Sequence, residues 1–222
     1  MNKLIQRIQT FNIVPYLVIF YLVGITGLIV PVSRELFIKL VPVTLLLSFI
    51  LLMIYHGTLS IKFILSAAGI FAAGFLVEII GVNTGILFGS YSYGTTLGPE
   101  LFHTPWLIGI NWLMLVYCSV VIASRYMDTR YFTAVIAAVL MVVYDFVLEP
   151  SAIDLRMWSW GGPVPLQNYI AWLLVGFLLS WFALASGLVN RSNKIAAPLF
   201  FIQLGFFLIH DLWIWLREAL EL

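Results

Sequence analysis

Charge is what this sequence has least of. Only 9% of its 222 residues are charged and 63% are hydrophobic, with a mean hydropathy of +1.07, far from the surface a water-soluble domain needs. The chain reads as an integral membrane protein. Its formal charge of +1 offers no basic field for nucleic acid and no acidic field for a cationic partner. The lone cysteine, Cys118, excludes an internal disulfide or a cysteine-rich metal site, and within its apolar run it reads as packing. Histidine is scarce as well: His103 and His210 fall on one side and His56 on the other, too few for a histidine-rich di-iron site, so no metal is expected. No GxGxxG follows a strand, which leaves a flavin or nicotinamide domain unsupported. Asp128, Asp145, Asp154 and Asp211 form no aspartate-rich diphosphate motif, which counts against a membrane prenyltransferase. No fixed-period repeat, low-complexity tract or linker divides the chain, so residues 1–222 are expected to form a single integral membrane domain.

Long apolar runs are abundant. A helix needs about 20 apolar residues to cross the hydrocarbon core, and seven runs qualify: 13–31, 36–55, 61–80, 104–124, 131–149, 166–188 and 195–216. The expected fold is an all-α polytopic bundle of about seven transmembrane helices. Pro15, Pro42, Pro105 and Pro198 lie near span starts, where a missing N–H costs least, and Pro150 stands at an exit. Lys3, Arg7, Lys62, Arg125, Arg130, Arg191 and Lys194 lie on one side, against Arg34, Lys39, Arg156 and Arg217 on the other. The positive-inside rule then puts the N-terminus in the cytoplasm of a multi-pass cytoplasmic (inner) membrane protein. The opening MNKLIQRIQTFN lacks a small-residue cleavage site and reads as a retained cytoplasmic flank. The longest connection, about 81–103, carries Gly81, Gly85 and Gly89 at a spacing of four, either a close-packing helix face or a re-entrant segment, followed by turn chemistry.

Spans three, five and seven run in the same direction, and each holds acid in its last two turns: Glu78, then Asp145 and Glu149, then Asp211. An intramembrane charge costs roughly 2.5–3.5 kcal/mol at the bilayer centre and less toward the interface, so four acids at one level point to a shared polar cavity. Asp145 and Glu149 lie one helical turn apart on one face. The negative pole of the helix dipole, apolar surroundings and neighbouring acids all disfavour charge there. A neutral carboxylic acid beside lipid suits general acid catalysis on an apolar substrate. For each acid singly the alternative is snorkelling to the surface or capping a neighbouring helix. Asn111, Gln167, Asn168, His103 and His210 fall at the same end, as do seven of the eight tryptophans; most of these are expected in an interfacial belt, with one or two free to stabilise a cation through a π face.

At EIIGVNTGILFGSYSYG, HTPWLIGINW and YDFVLEPSAIDLRMWSW, the chain resembles the carotenoid biosynthesis membrane family, which includes the CruF-type carotenoid 1,2-hydratases and the bisanhydrobacterioruberin hydratases. The resemblance extends from about span three to span six. It implies a cofactor-independent carotenoid hydratase that adds water across the terminal C=C of an acyclic or monocyclic carotenoid. Its partners would be the carotenoid, water, the lipid bilayer and other carotenoid enzymes, with no nucleic acid. The roles come from the residues themselves: Asp145 as proton donor, Glu78 as the group that holds or activates water, and Glu149 as tuner or relay. Asn111, Trp112, Trp106, His210 and Asp211 are candidates for substrate binding or water positioning, and Tyr91 and Tyr93 either cover the pocket mouth or belong to the belt. Asp154 and Arg156 follow the span and are expected in a loop ion pair or another surface role. Rival readings are a carotenoid end-group cyclase with the same proton donor, a small proton-coupled transporter, and a non-catalytic pigment-binding protein.

Overall fold

The computed structural model describes residues 9–220. Lys3 and Arg7, on which part of the orientation argument rests, lie outside them. Among the described residues are the seven helices α1 Val14–Ile29, α2 Pro31–His56, α3 Ile61–Thr84, α4 Leu107–Ala123, α5 Arg130–Asp154, α6 Leu166–Ser186 and α7 Ala196–Ala219. Four short strands join them: β1 Tyr91–Tyr93, β2 Glu100–Leu101, β3 Thr104–Pro105 and β4 Trp158–Trp160. All but α1 and α4 are long and apolar enough to cross a membrane. The chain is an all-α, multi-pass membrane bundle.

The two short helices differ in setting. Helix α4 is the central post: it packs against α2, α3, α5, α6 and α7, and every one of its residues is buried except Asn111. Because α4 meets protein on every side, it needs no match to lipid thickness. Helix α1 is peripheral, packed on α2 and α7. Gly74 of α3 admits the approach of α4, since a Cβ at that position would lie 2.5 Å from the Trp112 Cβ.

Several expected boundaries shift. Helix α5 continues through Pro150 to Asp154. Proline removes one helical N–H, but the final turn is retained by the burial of Ser151 and Ala152, both 0% exposed. Pro42 lies inside α2, and Pro31 takes the starting position instead. Helix α3 runs beyond residue 80 to Thr84 and stops at Gly85, whose φ of 67° supplies the left-handed cap. The glycine series is therefore neither a uniform packing face nor a re-entrant segment: Gly81 ends its run on the helix and Gly85 terminates it.

The connection that follows is more ordered than turn chemistry implies. Strands β1 and β4 pair antiparallel, with Tyr91 opposite Trp160, Ser92 opposite Ser159, and Tyr93 opposite Trp158. Side chains alternate between the two faces of a strand. The sequences YSY and WSW thus turn four aromatic rings to one face and two exposed serines to the other. This ribbon lies over one end of the bundle.

Candidate active site

Beneath the ribbon, three acids from two helices meet in one chamber. Glu78 of α3 and Asp145 and Glu149 of α5 are all buried, at 4%, 1% and 4% exposure. They line a cavity of about 20 Å³ with Asn111, Trp112 and Asn168, which gives room for roughly one water molecule. The Asp145 and Glu149 spacing accounts for their common direction: four residues at 3.6 per turn return to nearly the same azimuth.

Neutral donors surround all three. Tyr91 Oη and Tyr93 Oη donate to Glu78 Oε2 at 2.6 and 2.7 Å, and Trp112 Nε1 donates to Oε1 at 2.8 Å. Glu149 Oε2 accepts from Trp158 Nε1 at 3.0 Å and Trp160 Nε1 at 2.9 Å. Asp145 Oδ2 accepts from Asn168 Nδ2 at 2.7 Å. Three donors thus converge on Glu78 and one on Asp145, which leaves Asp145 the most hydrogen-bonding capacity toward the cavity. Burial, reinforced by the neighbouring Glu78, pushes the Tyr91 and Tyr93 phenols well above the usual tyrosine range. Both remain O–H donors at any physiological pH.

Trp172 of α6 stacks on Trp112, with ring centroids 4.3 Å apart, and the Trp112 ring forms one wall of the chamber. Asn111 borders both this chamber and a larger apolar cavity of about 160 Å³. Ile108 and Trp158 also line both. The arrangement provides acids for moving protons, a water-sized space and an apolar approach. Among the described residues no group of three or more His, Cys, Asp or Glu side chains is placed to hold a metal ion.

Of the residues chosen from sequence, Glu78, Asp145, Glu149, Asn111, Trp112, Tyr91 and Tyr93 come together. Three do not. Trp106 is 38% exposed and does not line the chamber. His210 and Asp211 belong to a second cluster, where Ser151 Oγ donates to Asp211 Oδ1 at 2.5 Å and lies 2.9 Å from His210 Nδ1. Asp154 joins that cluster: it pairs with Arg34 at 2.5 Å and Arg217 at 2.9 Å, and lies 3.4 Å from His210 Nε2, close enough for attraction but without hydrogen-bond geometry. The reason is azimuthal. Ser151 follows Asp145 by six residues, about 120° round the helix, so depth alone did not gather these groups. Arg156 pairs at the surface with Glu35.

Sequence reasoning put Trp158, Trp160, Asn168 and Trp172 at the same end as the acids but did not choose them as site residues. The matching YSY and WSW triplets were the available signal, since each carries aromatics at the two-residue period of a strand.

Fold and site together define a multi-pass helical membrane protein with a chamber of buried acids next to a mostly apolar cavity. The sequence profile of the family described as "Carotenoid biosynthesis protein" matches residues 38–218, and the chain belongs to that family. It is also 33% identical over 114 residues to a bisanhydrobacterioruberin hydratase of Haloarcula japonica, an alignment covering 45% of this chain and 37% of that relative. The chain thus spans well under half the length of the curated relative it matches. No solved structure matches it.

Proposed function

We propose that this protein is a carotenoid hydratase that adds water across the terminal C=C of an acyclic carotenoid end group. One observation carries the reading: three buried carboxyl groups, held only by neutral donors, share a chamber with room for roughly one water beside an apolar cavity. The hydratase name of the Haloarcula relative agrees with it.

In this mechanism Asp145, in its acid form, gives its proton to the CH carbon of the terminal isopropylidene group, and the C=C electron pair forms the new C–H bond. A tertiary cation remains at the partition between the two cavities, beside the indole of Trp158, which lines both and whose π electrons favour positive charge. Water attacks the cation and forms the C–O bond, and Glu78 accepts the proton that water loses. Its tyrosine and indole donors fix its direction while leaving lone pairs free for that water. Glu149 relays the proton back to Asp145, so the net change is substrate plus one water, with no redox cofactor. Asn111 positions the water. An end-group cyclase would have to fold a second C=C onto the cation, and a chamber of about 20 Å³ favours water as the nucleophile. In this reading the protein lies in the cytoplasmic membrane as a single domain with its N-terminus inside, and the chamber is near the outer surface.

The test is expression in cells making lycopene or γ-carotene, with pigment analysis by mass. Wild type is expected to yield products heavier by one water per reacted end, and Asp145→Asn and Glu78→Gln to yield almost none. A wild-type pigment profile without hydrated product would refute the activity on these substrates, and undiminished hydration in both variants would refute the site.

A further inference from the structure

The larger cavity has a defined place in the bundle. It lies between α1, α2 and α7 on the outside and α4 and α5 on the inside, and its walls are mostly apolar side chains, with Tyr21, Thr44, Tyr144 and Gln203 among them. Phe20, Val23 and Leu40, which are 41%, 54% and 38% exposed, belong both to its lining and to the lipid-facing surface of α1 and α2. At its inner end Ile108, Asn111 and Trp158 are shared with the acid chamber. Asn111 is the sole residue of α4 that is not buried, and among the described residues its side-chain amide has no hydrogen-bond partner. The amide keeps accessible surface at this partition, so a ligand or water can reach it.

We infer that this cavity is a side channel through which one acyclic isoprenoid end passes from the bilayer, between α1 and α2, to Asn111 and the acids. The inference rests on the hydratase reading and names the route and the part of the substrate held. Volume sets how much is held. An apolar cavity of roughly 150 Å³ accepts a benzene-sized guest, so about 160 Å³ takes roughly one five-carbon prenyl unit and leaves the rest of the chain in lipid. The protein therefore selects the shape of the end, flat and unbranched by a ring, and is indifferent to what the distant end carries. The methyl-substituted ring of a cyclised end, nine carbons against the five of a prenyl unit, exceeds that volume. The Asn111 amide meets the product hydroxyl as it forms and gains the partner it lacks.

Gly24 is the point at which to test it. It lines the channel, and a Cβ there would approach Phe206 at 3.3 Å. Replacing a helical glycine raises helix propensity, so Gly24→Phe fills space without weakening the helix. Val41→Trp fills the same channel from α2. The full-length protein in lipid vesicles, supplied with lycopene, is expected to lose roughly a hundredfold in hydration with either change, because the end no longer reaches the acids. Leu22→Phe, on the outward face of α1, retains wild-type turnover. Squalene, which has the same acyclic end, is hydrated, whereas β-carotene, ringed at both ends, is not. In the Asp145→Asn background, lycopene quenches tryptophan fluorescence, and the added Gly24→Phe change removes the quenching. Wild-type hydration by folded Gly24→Phe and Val41→Trp proteins overturns the channel and leaves the hydratase reading standing. Quenching that Gly24→Phe abolishes, in a wild type that hydrates nothing, upholds the channel and sinks the chemistry.

Discussion

Glu149 and Asp154 lie five residues apart on α5 and are both shielded from solvent, yet they are partnered in opposite ways. Glu149 receives two indole N–H groups, whereas Asp154 receives the guanidinium groups of Arg34 and Arg217. The same contrast separates the whole acid chamber, held by Tyr, Trp and Asn, from the cluster of Asp154, His210 and the two arginines. Cations satisfy a carboxylate by charge and lock it as an ion. Neutral donors orient a carboxyl group without cancelling its charge, so it keeps the capacity to take or give a proton. One cluster ties α2, α5 and α7 together, and the other holds its acids by neutral donors alone.

Exchanging the lesion between the two clusters gives the largest expected effect. Asp145→Asn should lower hydration by about a hundredfold or more with the fold intact, the scale of a lost general acid. Asp154→Asn should do the reverse: turnover stays within about threefold while stability falls by roughly 1–3 kcal/mol, as two arginines lose a half-buried partner. Thermal unfolding alongside pigment turnover reads both, and if Asp154→Asn were the more damaging to turnover, the division of labour would be wrong.

Removing donors should weaken the chamber in steps. The Tyr91→Phe and Tyr93→Phe double change takes two of the three donors from Glu78 and should slow hydration by roughly tenfold, since hydrogen bonds to a charged group contribute about 1.5–3 kcal/mol each and some of that is recovered by water. Trp158→Phe leaves Glu149 with the Trp160 indole and should cost about threefold to tenfold. Equal effects at both sites, measured as initial rates, would remove the distinction drawn between Glu78 as the proton acceptor and Glu149 as a relay.

The smallest effect concerns pH. Because the folded-state tyrosine values are raised, Tyr91 and Tyr93 hold their protons after unfolded-state tyrosines begin to ionise. Their contribution is full below the ordinary tyrosine value of about 10 and is lost as pH rises above it, so the melting temperature should fall on the alkaline side. Tyr91→Phe should flatten that decline, and a decline of unchanged slope would mean that other groups cause it.

Much of this was legible in the residues. The seven apolar runs correspond to seven helices, and the four-residue spacing of Asp145 and Glu149 correctly placed both on one face. Glu78 was legible from depth alone, because span three runs parallel to span five. His210 and Asp211 satisfied the same depth criterion and went elsewhere. Pro150 looked like a stop because its local rule is strong, but burial of the two residues after it outweighed one lost hydrogen bond. The ribbon escaped notice because strands of three residues carry almost no periodic signal, and their pairing joins positions more than sixty residues apart.

By itself the sequence determined which segments form long apolar helices and where along its helix each acid lies, because hydropathy and the rise per residue are local properties. Only the tertiary structure decided which acids face one another and who partners them. Those depend on how each helix is rotated against its neighbours and on the antiparallel pairing that closes the aromatic ribbon over the chamber, both set by packing across distant parts of the chain.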